Sequence, residues 1–249
     1  MDTLIDFHSH ILPGVDDGSA SVEESIALLR MEAKQGIRHV VLTPHFHAGD
    51  ETPESFLRRR AAAEEVLRRE MTKHKNLPQV SLGAEVAYFR GISESEACRQ
   101  LAITGGKCIL IEMPPAPWPE SAYTELERIR HNWGILPVIA HVDRYIHPFR
   151  TYGIPRRLAQ LPVLVQANAN FFLNRRTSAM AMRMLKADQI HLLGSDCHNL
   201  TVRKPNLEAA AEQIREKLGR EALAQICEYQ CGVLELEGNV PEDIPVLKE

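Results

Sequence analysis

The sequence predicts an α/β fold, with parallel strands inside and helices outside. Three observations predict it. Short apolar runs alternate with longer amphipathic stretches about seven times, the order of strand–crossover–strand units. The chain has 249 residues, a length at which an α/β barrel is commonly a single unit. No internal repeat and no Gly/Ser- or Pro-rich linker divides it, so residues 1–249 are expected to form one domain.

The elements follow in order. Residues 3–7 read as the first strand. Ser21 and Glu24 have capping-box spacing and open a helix to about residue 35, where Gly36 occupies the C-terminal cap position. Residues 39–43 are a β-branched strand, and 53–73 a long helix of stacked Arg and Glu. A strand over 79–86 precedes a short helix at 93–101. Strands at 107–113 and 135–141 flank a helix at 120–131. A helix at 155–160 leads into a strand at 163–168. A helix at 177–187 precedes a strand at 190–195, and two helices, 206–217 and 220–230, follow. The Pro-containing tail after Gly238 reads as irregular. This alternation suits an open sheet or a closed barrel. In a barrel the active site forms at the carboxyl ends of the strands.

Composition excludes several classes. Apolar residues make up 44% and charged residues 25%, ordinary globular usage. With 29 basic and 33 acidic residues and a net charge of −4, a strong positive field for nucleic acid is absent. No apolar run approaches a membrane span, and the start Met1-Asp2-Thr3-Leu4 lacks a signal peptide's basic opening. The five cysteines are odd in number and show no CxxC spacing, which favours reduced thiols and a cytoplasmic location.

The expected strand exits carry ligand-type side chains. They are His8-Ser9-His10 with Asp16-Asp17, then His45 and His47, Glu85, Glu112, His141, and Asp196-Cys197-His198; the sixth exit offers Asn168. One such residue after a strand is usually solvated. Many at one rim would repel or be costly to bury unless a cation sat among them. On an extended segment, His-x-His points both imidazoles the same way. Imidazole and carboxylate ligands without thiolate suit Zn, Mn, Fe or Co.

Asp6-Phe7-His8-Ser9-His10 with the distant Gly194-Ser195-Asp196-Cys197-His198 resembles the polymerase-and-histidinol-phosphatase (PHP) superfamily. The run His8–Gly18, with Thr43-Pro44-His45, Gly83-Ala84-Glu85, the segment 140–145 and the segment 195–199, is similar to its CpsB/YwqE group of bacterial phosphatases. That resemblance spans residues 6 to about 205. It implies a distorted (β/α)7 barrel, TIM-like, with three divalent metals. Manganese is the metal it points to, with zinc, iron and cobalt as alternatives. It also implies hydrolysis of phosphotyrosine on a protein, the tail of a bacterial tyrosine autokinase in capsule or exopolysaccharide synthesis. By resemblance His8, His10, Glu85 and Asp196 hold the first metal. Glu85 bridges to a second, held also by Glu112 and His141. Asp17, His45 and His198 hold the third, with the adjacent Asp16 an alternative to Asp17. Where the family pattern has Pro and Glu after the fifth-strand His, this chain has Val142 and Asp143, which leaves the ligand intact.

Arg144 and Arg203 lie on the loops of that rim, and a guanidinium's paired donors match a phosphoryl group. The expected chemistry is in-line attack of a metal-activated hydroxide, with the two arginines stabilising the phosphoryl oxygens. A rival motif, Cys197 to Arg203, has the C-x5-R spacing of cysteine-dependent phosphatases. It lacks glycine, and Asp196 would raise the thiol's pKa. His39, His74, His131 and His191 read as structural, whereas His47 and His147 lie near the rim. Trp118, among four prolines, either walls the substrate ring or packs. Arg58-Arg59-Arg60 reads as a solvated helix face or an attractor of acidic peptides. A small phosphomonoester such as histidinol phosphate is the alternative substrate. A nuclease is disfavoured by the acidic balance, and a non-catalytic binding module by the arginines beside a full ligand set.

Overall fold

The structure, a computed structural model, describes residues 4–103 and 108–234. The expected strand starts at 3 and 107 and the tail beyond 238 lie outside these residues. Strand β1 (Leu4–Ser9) is followed by helix α1 (Val22–Lys34), β2 (Ile37–Leu42), β3 (His45–Phe46) and α2 (Pro53–Met71). Next come β4 (Gln79–Leu82), β5 (Glu85–Ala87), α3 (Ala97–Gln100), β6 (Cys108–Glu112), α4 (Glu120–Trp133) and β7 (Leu136–Ile139). The remainder is α5 (Ile154–Leu158), β8 (Leu164–Asn168), α6 (Ala169–Leu173), α7 (Ser178–Lys186), β9 (Leu192–Gly194), α8 (Leu207–Leu218) and α9 (Arg220–Leu234).

Local chemistry sets the helix starts. Ser21 accepts from Glu24 N at 3.3 Å, while the Glu24 carboxylate takes Ala20 N at 3.0 Å. Thr52 caps α2 from Ser55 N, with Pro53 in the first turn.

Every strand pairing is parallel. β1-β2-β4 form one sheet and β3-β5-β6-β7-β8-β9 the other. The two are one curled wall, because β2/β3 and β4/β5 are single strands broken midway. Bonds from Gly83 N to Leu42 O (2.8 Å) and Glu85 N to Pro44 O (3.0 Å) carry the ladder across the breaks. Asp196 N to His8 O (2.8 Å) and His10 N to Cys197 O (2.9 Å) join the last strand back to the first. Counted this way the wall has seven strands, and the fold is the expected distorted (β/α)7 barrel.

The expected single strand over 79–86 is therefore corrected to two pieces. Gly83 sits at the break, where a Cβ would lie 2.9 Å from the Ile103 side chain. The buried Arg60 of α2 donates to Gly83 O at 2.6 Å. The short helix at 93–101 is a single turn at Ile92–Glu94 followed by α3. α6 was not expected, because it starts directly from β8 with no intervening loop.

Inside the barrel the lower half is apolar. Ile5, Phe7, Val41, Cys108, Leu110, Leu136, Val138, Leu164 and Leu192 form one buried cluster, which Val233 of α9 joins. The same face turns polar one step up each strand, by the period-two rule: Leu110 gives way to Glu112, and Leu164 to Gln166 and Asn168. The larger cluster packs the outer strand faces against the helices.

Candidate metal centre

At the carboxyl ends of the strands, His8, His10, Glu85, His141, Asp196 and His198 are buried together. Glu85 is the hub. Its Oε2 lies 3.2 Å from His8 Nε2, 3.2 Å from His10 Nε2 and 3.0 Å from His45 Nδ1, and its Oε1 lies 2.6 Å from His141 Nε2. The strand breaks bring this about, since β3 and β5 pair His45 directly with Glu85. Asp196 Oδ1 stands 3.8 Å from His8 Nε2 and 3.5 Å from His10 Nε2. Glu112 Oε1 is 3.5 Å from His141 Nε2. Asp17 Oδ1 is 3.5 Å from both His45 Nε2 and His198 Nε2. All nine residues expected as ligands thus converge on one mouth. Two of them, His141 (φ 31°) and Asp196 (φ 54°), hold positive backbone angles, a strained conformation that clusters at functional sites.

A second layer fixes how the imidazoles face. His141 N donates to Gln166 Oε1 at 2.6 Å, so that oxygen is an acceptor and the 3.2 Å contact to His8 Nδ1 needs its proton. Asp16 accepts from Gly18 N and His45 N, so His10 Nδ1 donates to it at 2.7 Å. His198 Nδ1 donates to Asp196 O at 3.0 Å. In each ring the proton on Nδ1 leaves the Nε2 lone pair pointing inward when the ring is neutral. His8 and His10 then oppose two lone pairs at 3.1 Å, which holds only with a proton or a cation between them. The buried atoms Glu85 Oε2, His45 Nδ1, His141 Nδ1 and His198 Nε2 make no aligned hydrogen bond among the described residues. Oxygen and imidazole donors in this arrangement fit divalent cations.

The electrostatics agree. Burial alone would raise Glu85 and Asp196. Instead His8 and its neighbours hold Glu85 well below the carboxylate range, and His8 and His10 hold Asp196 near about 2. Burial opposes charge on His10 and His141 too, yet the facing carboxylates push them up to about 10 and about 9. His198 is pushed down to about 4 by burial and by His10.

Two arginines reach in from the rim. Arg144 donates to Asp196 Oδ2 at 2.6 Å and to Glu112 Oε1 at 3.2 Å; Arg203 donates to Asp196 Oδ1 at 2.6 Å. Asn168, at the sixth exit, joins them: its Nδ2 donates to Asp196 Oδ2 at 2.9 Å. Asp16, left open beside Asp17, is engaged behind His10. Sequence reasoning missed Gln166, although its inner-face parity with Leu164 was a usable signal. It also missed Asp6, which accepts from Ser195 N at 2.8 Å and His8 N at 3.1 Å and so clamps β1 to the end of β9.

Other expectations resolve differently. Trp118 packs: it is buried, donates to Pro114 O at 2.8 Å and stacks edge-on with Tyr145. Arg58 faces solvent, but Arg59 donates to Val15 O at 2.7 Å and Arg60 is buried, so the run is not one solvated face. His39, His74 and His191 bond structurally, to Ser81, to Arg30 and Glu70, and to Val165 N respectively. His47 comes within 5.8 Å of His45, ring to ring. His147 exchanges backbone bonds with Arg150.

Fold and site define a (β/α)7 barrel with a candidate metal centre at its carboxyl mouth. The chain belongs to the CpsB/CapC family, described as capsular polysaccharide synthesis, whose family model matches residues 4–233. It is 32% identical over 231 residues to the tyrosine-protein phosphatase CpsB of Streptococcus pneumoniae, covering 87% of this chain and 91% of that one. It is 30% identical over 223 residues to the tyrosine-protein phosphatase YwqE of Bacillus subtilis, covering 88% and 86%. A chain from the crystal structures of YwqE and CpsB of those organisms, described together as unique metal-dependent tyrosine phosphatases, shares the fold. The TM-score is 0.81 at 24% identity, over 95% of this chain and 96% of the other.

Proposed function

We propose that this chain is a metal-dependent protein-tyrosine phosphatase acting as a single catalytic unit. The observation that carries the reading is Glu85, one buried carboxylate with four imidazole nitrogens within 3.2 Å of it. His8, His10, Glu85 and Asp196 hold one divalent cation. Glu85, Glu112 and His141 hold a second, and Asp17, His45 and His198 a third, manganese being the favoured metal. When bound, such cations would supply Lewis acidity towards phosphate oxygens and a water acidified towards ~7.

The chain's own residues do the rest. Asp16, Gln166 and the Asp196 carbonyl keep the imidazoles turned inward. Arg144 and Arg203 turn from Asp196 to the phosphoryl oxygens and offset the charge that builds there. The tyrosine oxygen, with a pKa near ~10, leaves with little acid assistance. Cys197 takes no part. The substrate is the phosphorylated tail of a bacterial tyrosine autokinase, met in the cytoplasm; no described helix is long and apolar enough to cross a membrane.

The test is elemental analysis with turnover of p-nitrophenyl phosphate, a phosphotyrosine peptide and histidinol phosphate in Mn, Zn, Co and EDTA. The expected outcome is Mn-supported, EDTA-abolished turnover with the lowest KM for the peptide. Cation-loaded protein inert to all three overturns the reading, and the lowest KM for histidinol phosphate reverts it to a small-molecule phosphatase.

A further inference from the structure

Five large apolar side chains are exposed among the described residues, Phe149 and Val202 almost fully and Val66, Tyr152 and Leu200 in part. Four of these five belong to two loops, the one after β7 that carries Arg144 and the one after β9 that carries Arg203. The loops meet, because their arginines grip the two oxygens of Asp196. The backbone beneath both tips is hydrogen-bonded. Phe149, at 102% exposure, crowns a two-residue turn closed by His147 N to Arg150 O (3.0 Å) and Arg150 N to His147 O (2.9 Å). Val202, at 90% exposure, is presented by a loop organised on Asn199 Oδ1, which accepts from Thr201, Val202 and Arg203 N at 2.9–3.1 Å. Apolar side chains exposed on two adjoining loops are the kind of feature that marks binding surfaces.

Charge completes the pattern. Beyond Asp143 and Asp196, the loops after β7, β8 and β9 (144–157, 169–177 and 197–206) contain no acidic residue, in a chain whose net charge is −4. Arg150, Arg175, Arg176 and Lys204 on them form no ion pair among the described residues.

We propose that these two loops form a substrate-selecting lip. It takes an extended peptide whose phosphotyrosine is flanked by an apolar residue, held against Phe149 and Val202, and by Asp or Glu, held by Arg150 and Lys204. This rests on the phosphatase reading above and adds the sequence preference around the phosphotyrosine.

The test compares phosphotyrosine peptides with Leu and Glu neighbours against peptides with Ala neighbours. It uses the Mn-loaded wild type, the double variant Phe149→Ser/Val202→Ser and the double variant Arg150→Ser/Lys204→Ser. Binding of a fluorescent, non-hydrolysable difluorophosphonate version of the Leu/Glu peptide is followed by anisotropy. The wild type should prefer the Leu/Glu peptide. Losing the apolar pair should raise its KM and weaken anisotropy binding by about tenfold, with kcat and p-nitrophenyl phosphate turnover unchanged. Losing the cations should flatten the salt dependence of peptide KM. The proposal is overturned if the wild type does not distinguish the peptides, or if the variants lower p-nitrophenyl phosphate turnover equally. Unchanged peptide kinetics, with instead a lost dimer by light scattering or lost binding to phosphatidylglycerol vesicles, also overturns it. Wild type inert to p-nitrophenyl phosphate and to every peptide would remove the phosphatase reading itself, and the lip with it.

Discussion

Arg144 places Nη2 2.6 Å from Asp196 Oδ2, binding a rim guanidinium to a carboxylate proposed to hold metal. The arginine is 39% exposed and the aspartate 4%, so the pair spans the boundary between solvent and the buried cluster. In the proposed reaction this guanidinium leaves Asp196 for the incoming phosphoryl group. Arg144→Ala should lower kcat/KM for p-nitrophenyl phosphate by roughly 100-fold. Arg144→Lys should restore only part, because an ammonium lacks the paired donors. Elemental analysis alongside the kinetics should show unchanged cation content; a parallel loss of cation would reassign Arg144 to building the site.

Gln166 offers a cleaner probe of the imidazole shell than any ligand. Its Oε1 serves both His8 Nδ1 and His141 N, and Leu at this position would keep the volume but remove the acceptor. Gln166→Leu should weaken cation affinity by about 10–100-fold, read by competition with a chromogenic chelator. Glu85→Gln, which alters the hub itself, should lose bound cation outright. Unaltered affinity in both variants would break the link between this network and metal binding.

Cys197 is fully buried, with Sγ 3.8 Å from Glu32 Oε1. Burial, reinforced by the charges of Glu32 and Asp6, pushes its thiol far above the ordinary range. Cys197→Ser should therefore turn over phosphotyrosine peptide near the wild-type rate, and iodoacetamide should not inactivate the wild type. Loss of turnover with cation content intact would restore the C-x5-R mechanism.

His191 makes stability depend on pH in a predictable sense. Its Nδ1 accepts from Val165 N at 3.0 Å, and burial pushes its pKa down to about 4. The folded value lies below the unfolded ~6.5, so the unfolded chain binds more protons between them. The contribution is complete above ~6.5 and is lost as pH falls towards 4. Between pH 7 and 5, urea unfolding in EDTA should show wild type losing about 1–2 kcal/mol more than His191→Gln. Equal losses would show that this ring does not set the acid limb.

The exits of the strands were legible because ligand chemistry is written in residue type. His-x-His on a strand, and acids at strand ends, keep their meaning without coordinates. What escaped was tertiary. Nothing in residues 79–86 announces a break at Gly83, since its partners, Arg60 and Ile103, lie elsewhere in the chain. The Arg58–Arg60 run hid that partner, because three adjacent cations look alike until the helix turns one of them inward. Asp16 and Asp17 were indistinguishable for a similar reason: neighbouring acids differ only in which way the loop points them. α6 escaped because Asn168 ends a strand and starts a helix at one residue, leaving no turn to detect.

The contact between Arg60 and Gly83 O ties the outer layer to the centre of the mouth. It fixes the carbonyl two residues before Glu85, so helix α2 governs where the hub carboxylate stands. Damage to that helix, far from any phosphate, would reach the hub through two peptide units, and a loosened exterior would announce itself first as a leak at the proposed metal site.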